Sequence, residues 1–333
     1  MNIDHLGYLS VGSQMRRVYE KLQLDADKIY QRAGINFKSS WFPIYYALAN
    51  STRALTVQEI TNEISYSRIT VKNVVRELEA EGYAEIMTNP SDQRSKLIQL
   101  TSRGKSLEAP LLELWECFED YLKNLFGQDK NSFLEQLALV NKKLSTSSME
   151  KEILQDYYQF SIRNATTDEF NAVGDLLVKV YSSIKGFPSI KEQPTYYEML
   201  RNVGHLTENP NIELFVCVSR KGDIGGAVIY FHDMKDYGSG GTGTQEKDAC
   251  GFRLLAVSPD FQGLGLGKQL TEYCIDKGKS SSSKNMVIHT TDSMKLAWGM
   301  YERLGFVRAK DLDFMQGNLP VYGFRLDLLN ESK

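Results

Sequence analysis

Gln262-Gly263-Leu264-Gly265-Leu266-Gly267 directly follows the apolar run 250–257, and its reading decides the fold of half the chain. The order is a strand, a glycine turn, and a helix that opens near Lys268. The first N–H groups of a helix have no intrahelical acceptor and favour anions, so the turn is a candidate cradle for phosphate or pyrophosphate. Glycines let such a ligand approach the main chain closely. Two better-known cradles are excluded by spacing. A dinucleotide fingerprint needs a third glycine where Lys268 stands, and a Walker loop needs glycine and serine or threonine where Gln262 and Gln269 stand.

A second stretch, Ala297-Trp298-Gly299-Met300-Tyr301-Glu302-Arg303-Leu304-Gly305-Phe306, lies past another strand-like run at 285–291. It reads as a helix with Gly305 just beyond its C-terminus. The two stretches together resemble motifs A and B of the GNAT acetyltransferases: a Gln-x-x-Gly-x-Gly turn, then a tyrosine-bearing helix closing in Leu-Gly-Phe. The resemblance covers roughly residues 158–328. It implies acetyl-CoA as acyl donor, with the N–H groups of Gln262, Gly263, Leu264, Gly265, Leu266, Gly267 and Lys268 around the pyrophosphate. It also implies that main-chain groups of Leu255, Ala256 and Val257 hold the pantetheine arm and the thioester oxygen. Tyr301 matches the family's general acid. Two positions depart from the family pattern: the strand 250–257 carries no carboxylate, and Met294 stands where relatives often carry asparagine. The sequence leaves the general base open among Asp292, His289 and water.

With 333 residues the chain has room for two domains of about 150 residues each. Apolar residues make up 42% and charged residues 24%, ordinary values for globular protein. No run of about 18 apolar residues suggests a membrane span, and Met1-Asn2-Ile3-Asp4 lacks the blocks of a signal peptide. Cys117, Cys217, Cys250 and Cys274 are scattered, and the four histidines are dispersed. The expectation is a reducing, cytoplasmic setting with neither disulfides nor a metal. A net charge of −3 excludes a chain that is basic throughout, so any DNA contact must come from a local surface.

The first half reads as mostly helical from about residue 8 to 146. Within it, residues 55–101 give helix, helix, strand, turn, strand: a winged helix-turn-helix. Ser67 can N-cap the second helix, which Gly82 ends. Val71, Val74, Val75 and Leu78 share one face and should pack inward. Ile69, Lys72, Asn73 and Arg76 then point outward, as a set suited to a major groove or simply to water. Glu77, Glu79 and Glu81 disfavour phosphate contact at that helix's C-terminal end.

The wing Asp92-Gln93-Arg94, with Leu97-Ile98-Gln99-Leu100-Thr101 behind it, resembles the Asp-x-Arg signature of MarR-family regulators. Asp92 can hold the Arg94 guanidinium, and Arg94 can enter a narrow minor groove. Thr101 should cap the next helix, as in that family's Leu-Thr-x-x-Gly element. The resemblance implies a homodimer on double-stranded DNA, built from helices expected at 8–33 and 105–144.

The expected organisation is therefore a mainly α winged helix-turn-helix domain (1–146), a linker (147–158) and an α+β GNAT domain with a mixed central sheet (159–330). Strands are expected at 159–163, 213–219, 224–232, 250–257, 285–291, 306–309 and 321–328. Helices are expected at 168–181, 194–204, 265–277 and 294–304. The glycine-rich stretch 236–248 reads as a disordered loop rather than a lid. The expected function is a DNA-binding regulator that acetylates an unidentified amine. The alternatives are a regulator that senses acyl-CoA without turnover, or an acetyltransferase whose first domain only dimerises it.

Overall fold

The computed structural model describes residues 3–126, 133–238 and 240–329. Parts of several expectations fall outside them: the domain ends at residues 1–2 and 330, the 127–132 stretch of the helix expected at 105–144, and Ser239 of the 236–248 loop. The chain forms two compact units, Met1–Leu139 and Val140–Lys333.

The first unit is helical with a small sheet. It contains α1 (Val11–Arg32), α2 (Phe42–Ala49), β1 (Leu55–Thr56), α3 (Val57–Ile64), α4 (Arg68–Ala80), β2 (Ala84–Thr88), β3 (Lys96–Leu100), α5 (Ser102–Ser106) and α6 (Glu108–Phe126). Helix α7 (Phe133–Thr146) runs across the boundary between the units. The sheet has order β1-β3-β2 and is antiparallel. Local chemistry sets these elements. Thr56 and Glu59 form a reciprocal capping box at α3, and the Ser67 side chain accepts from the Thr70 N–H at α4. Thr101 Oγ1 accepts from the Gly104 N–H (3.0 Å) and donates to the Gly82 carbonyl (2.7 Å). A Cβ on Gly104 would lie 2.0 Å from the Tyr83 carbonyl oxygen, so only glycine fits there. Val71, Val74, Val75 and Leu78 are buried with Trp41, Tyr45 and Ile60, as the periodicity predicts.

The residues expected to be a linker are instead α8 (Met149–Tyr158), N-capped by Ser148 and closed by Gln159 in a left-handed conformation. The helix stays because Leu154 and Tyr158, one turn apart, pack on the core of the second unit.

After α8 come β4 (Ser161–Asn164), α9 (Phe170–Ser183), α10 (Pro194–Arg201), β5 (Ile212–Val218), β6 (Ile224–Phe231) and β7 (Ala249–Val257). Then follow α11 (Leu266–Lys279), β8 (Asn285–Thr290), α12 (Lys295–Arg303), β9 (Val307–Arg308), β10 (Phe314–Gln316) and β11 (Leu319–Asp327). The sheet runs β10-β11-β8-β7-β6-β5-β4, with β9 on β11. Only β7 and β8 are parallel, so the sheet is mixed. Its two faces bury two cores. On β5, Leu214, Val216 and Val218 meet α9 and α10, while Phe215 and Cys217 meet α11. Each such fully buried side chain contributes roughly 1.5–3 kcal/mol of apolar transfer. Among the described residues no helix is long and apolar enough to cross a membrane.

The 236–248 stretch is not the disordered loop its composition suggests. Short 3-10 turns occupy Met234–Asp236 and Gly243–Gln245, and Met234, Tyr237 and Gly243 are buried. The glycines serve close approach. A Cβ on Gly240 would lie 2.8 Å from the Phe314 ring, and one on Gly243 2.8 Å from His289.

Candidate functional site

Strand β7 pairs with β8 only through Ala249, Cys250 and Gly251. From Phe252 to Val257 its β8-side edge has no strand partner, which leaves main-chain donors and acceptors for a ligand. Two features widen this opening: Leu254 has φ +55°, and the β6–β7 register shifts beside it. Leu255, Ala256 and Val257 lie along this free edge. The hydroxyls of Thr290 and Thr291, where β8 ends, are buried and have no hydrogen-bond partner.

At the end of β7 the chain turns through Gly263 and Gly265, both at φ +84°, into α11. The helix opens at Leu266, within one residue of the expected 265–277 span. Leu264 and Leu266 are buried anchors, while Gln262, Gly263 and Lys268 are exposed. Anchored leucines and left-handed glycines thus aim the N–H groups of the first turn outward. Lys268 Nζ itself turns along the helix to Glu272 (3.3 Å). A pyrophosphate fits this cradle: nothing lies within 4 Å of a Cβ built on Gly263, and only the ends of flexible side chains lie near one on Gly265.

Those side chains come from α8 and escaped sequence reading. Gln155 Nε2 donates to the Leu264 carbonyl (2.5 Å), and Lys151 Nζ lies 3.5 Å from the Gly265 Cβ position. A lysine beside an anion cradle adds Coulombic attraction, screened because it is exposed. Lys151→Ala should therefore weaken acetyl-CoA binding roughly fivefold at low salt, about 1 kcal/mol, and less at high salt. Calorimetry at two ionic strengths checks this; equal affinities at low salt would remove Lys151 from the site.

Tyr301, on α12, is 6% exposed and packs between Phe252 and Phe306, with ring centroids 5.8 Å from each. Burial pushes its phenol up, with further contributions from Tyr237 and Cys274, so the hydroxyl keeps its proton at neutral pH.

His289 Nε2 lies 3.1 Å from the Leu312 carbonyl, which can only accept, so this nitrogen carries the proton. Nδ1 lies 3.4 Å from Tyr237 Oη, whose one proton goes to the Phe252 carbonyl (3.2 Å). Burial lowers the pKa of His289 to about 4. With Nε2 held on the Leu312 carbonyl and the ring packed against Tyr237 and Phe314, His289 serves as a structural residue rather than a free base. The Asp292 carboxylate accepts from Tyr322 Oη (3.0 Å) at the surface. Met294 packs at the edge of the α9–α10 core.

In the first unit, Ile69 (73% exposed), Lys72, Asn73 and Arg76 stand on the face of α4 opposite the buried valines, and Ser67 caps its start. The glutamates feared to repel phosphate are partly turned back. Glu77 accepts from Lys38 Nζ (2.8 Å) and Trp41 Nε1 (2.9 Å), which hold its carboxyl below the usual range. Glu81 accepts from Asn36 Nδ2 (2.8 Å). At the wing, Asp92 does not fork the Arg94 guanidinium. Its Oδ1 accepts from the Arg94 backbone N–H (3.0 Å) and lies 3.7 Å from Nε. A short side chain at a turn satisfies the main chain first. This leaves Arg94 97% exposed at the tip.

Comparison with known proteins separates the two halves. Residues 177–306 match the model of the acetyltransferase (GNAT) family. An uncharacterized N-acetyltransferase of Escherichia coli, YjgM, is 29% identical over 122 residues, 35% of this chain and 71% of its own length. The HTH-type transcriptional regulator BilQ of Clostridioides difficile is 19% identical over 151 residues, 45% of this chain and 100% of its own. A solved MarR/EmrR family transcriptional regulator from an Acinetobacter species is 23% identical, covering 44% of this chain and 96% of its own, with a TM-score of 0.35. The chain thus joins a winged helix-turn-helix domain, similar in sequence to HTH-type transcriptional regulators, to a C-terminal domain that matches the GNAT acetyltransferase family.

Proposed function

We propose that this protein binds double-stranded DNA as a homodimer and transfers an acetyl group from acetyl-CoA to an amine. The observation that carries the enzymatic reading is the juxtaposition of the 262–267 cradle, the unpartnered edge of β7 and the protonated Tyr301 phenol. The main-chain N–H groups of residues 263–268 hold the pyrophosphate, and the 255–257 edge orients the pantetheine arm and polarises the thioester oxygen. The amine nitrogen bonds to the thioester carbon as the carbon–sulfur bond breaks. Tyr301 gives its proton to the departing thiolate and regains one from the amine through water. Held in place, the reactants need no further loss of rotational freedom.

One observation favours a second reading. Strand β7 carries no carboxylate, and His289 is partly buried with Nε2 held on the Leu312 carbonyl. Without a base the domain could bind acyl-CoA as an effector. Release of free thiol in the presence of amines separates the two: none above the hydrolytic background, with acetyl-CoA bound, leaves the sensor.

For DNA, α4 would lie in the major groove with Lys72 and Arg76 on phosphate or guanine, Asn73 on adenine and Ile69 on a thymine methyl. Arg94 would reach the minor groove, with Asp92 fixing the tip and Ser67 the helix start. Dimerisation would cover an open apolar cleft of about 1630 Å³ between α1 and α6, where Tyr19, Tyr121, Leu125 and Leu134 are exposed. A two-fold pair would then read two half-sites. The DNA-binding and dimerisation domain would end within α7, and α8 would belong to the acetyltransferase domain. Arg94→Ala should weaken binding to the protein's own promoter region about tenfold and flatten its salt dependence by about one counterion. Unchanged affinity and slope in a mobility-shift titration would refute the wing assignment.

A further inference from the structure

Arg253 stands two residues past the last β7–β8 pair, where the sheet opens. Consecutive residues of a strand face opposite sides. Phe252 lies against Tyr301, and Arg253 lies against Tyr237, on the face packed by α9 and α10. Its Nη1 donates to the carbonyls of Tyr237 (2.8 Å) and Gly238 (2.9 Å), and the guanidinium stands 5.5 Å from the Tyr237 ring centroid. Its charge reaches Tyr181, Tyr196 and Tyr237, where it opposes the upward push of burial, and His289, where it adds to the downward one. Arg253 is thus a partly buried cation among neutral aromatic groups.

Among the described residues no carboxylate forms an ion pair with Arg253. The acidic groups of the neighbouring loops are committed elsewhere: Glu246 and Asp311 to Arg325, and Asp313 to Arg308. A guanidinium with two carbonyls and no anion is only partly compensated for its burial. Its planar donor edge matches a carboxylate.

Resting on the acetyl-transfer reading, we propose that Arg253 is the specificity residue of the acceptor site, and that the acceptor is a small amine carrying a carboxylate, as in a free α-amino acid. The carboxylate binds the Arg253 guanidinium beside the Tyr237 ring. The amine beside it then faces the free edge of β7, where the thioester lies. A polyamine or a lysine side chain brings a second cation to this site and is disfavoured.

The test begins with calorimetry of acetyl-CoA into the full-length protein; no binding would end both the underlying reading and this one. With binding established, thiol release is measured with glycine, alanine and glutamate, with their carboxamides, and with spermidine. The free acids should exceed their amides and spermidine by about thirtyfold or more in kcat/KM, mainly through KM, as expected for a charge-assisted contact. Arg253→Gln should lower kcat/KM for acids about thirtyfold and for amides less than threefold, and Arg253→Lys should restore part of the preference. Equal use of acids and amides by the wild-type protein would overturn the proposal without touching acetyl transfer itself. So would an Arg253→Gln variant that loses both alike, since that is what mere anchoring of the Tyr237–Gly238 turn predicts. If no amine turns over, titration of acids and amides into the CoA complex decides: selective binding of acids supports the proposal, and binding of neither class overturns it.

Discussion

Gly265→Glu is expected to weaken acetyl-CoA binding at least a hundredfold while leaving the protein folded. Three effects add. Gly265 sits at φ +84°, where a side chain costs roughly 1–2 kcal/mol. A Cβ there comes within 3.6 Å of Lys151 and Gln155, pushing the new side chain into the cradle. The carboxylate then occupies the place of the pyrophosphate and repels it, at the spot where the first turn of α11 attracts anions. Gly265→Ala separates strain from charge and should lose about tenfold or less. Calorimetry reads the affinity. The melting temperature should fall by only about 2–5 °C, because the strain is spread over a domain of this size. Unchanged affinity in Gly265→Glu would mean that the cradle holds no phosphate.

Tyr301→Phe should lower kcat about 100- to 1000-fold and leave the acetyl-CoA dissociation constant within about twofold. The ring keeps its contacts with Phe252 and Phe306, so only the hydroxyl is lost. Because burial raises the phenol, Tyr301 stays protonated well above neutral pH. It should therefore impose no alkaline limb on kcat up to about pH 9, while neutralisation of the amine makes the rate rise. A variant with full turnover would remove Tyr301 from the mechanism.

The two motifs were legible because each rests on backbone rules that leave a mark in single residues. Only glycine serves well at 263 and 265 with φ +84°, and only glycine fits at 104 beneath the Tyr83 carbonyl. The inward face of α4 was legible for the same reason: four apolar residues at helical spacing have one way to pack. What escaped depends on contacts between distant residues. Gly240, Gly241 and Gly243 look like flexibility in sequence, yet they make room for Phe314 and His289, some 50 to 70 residues away. Strand β10 and the short pairing of β7 with β8 belong to tertiary structure. Helix α8 did leave a signal, Ser148 followed by Glu150 and Glu152 and then Leu154 and Tyr158, but too short a one to outweigh the serine and threonine run before it. Arg253 escaped as well: it is the one charge in the run 249–257, but nothing in sequence says what faces it.

These missed residues cluster about the cofactor cradle and the open edge of β7. On the proposed function, the cradle and the open edge of β7 would bring acetyl-CoA to the sheet. On the same reading, α8 with Lys151 and Gln155 on one side and Arg253 beside Tyr237 on the other would adjust how it is held and what receives the acyl group.

The most direct test of the central claim is a calorimetric titration of acetyl-CoA into the purified full-length protein, with Gly265→Glu beside it. The account predicts saturable binding at one site per chain with a dissociation constant of about micromolar order, some 8 kcal/mol, and no measurable binding in the variant. Absence of binding in the wild-type protein, or equal binding in the variant, would contradict it.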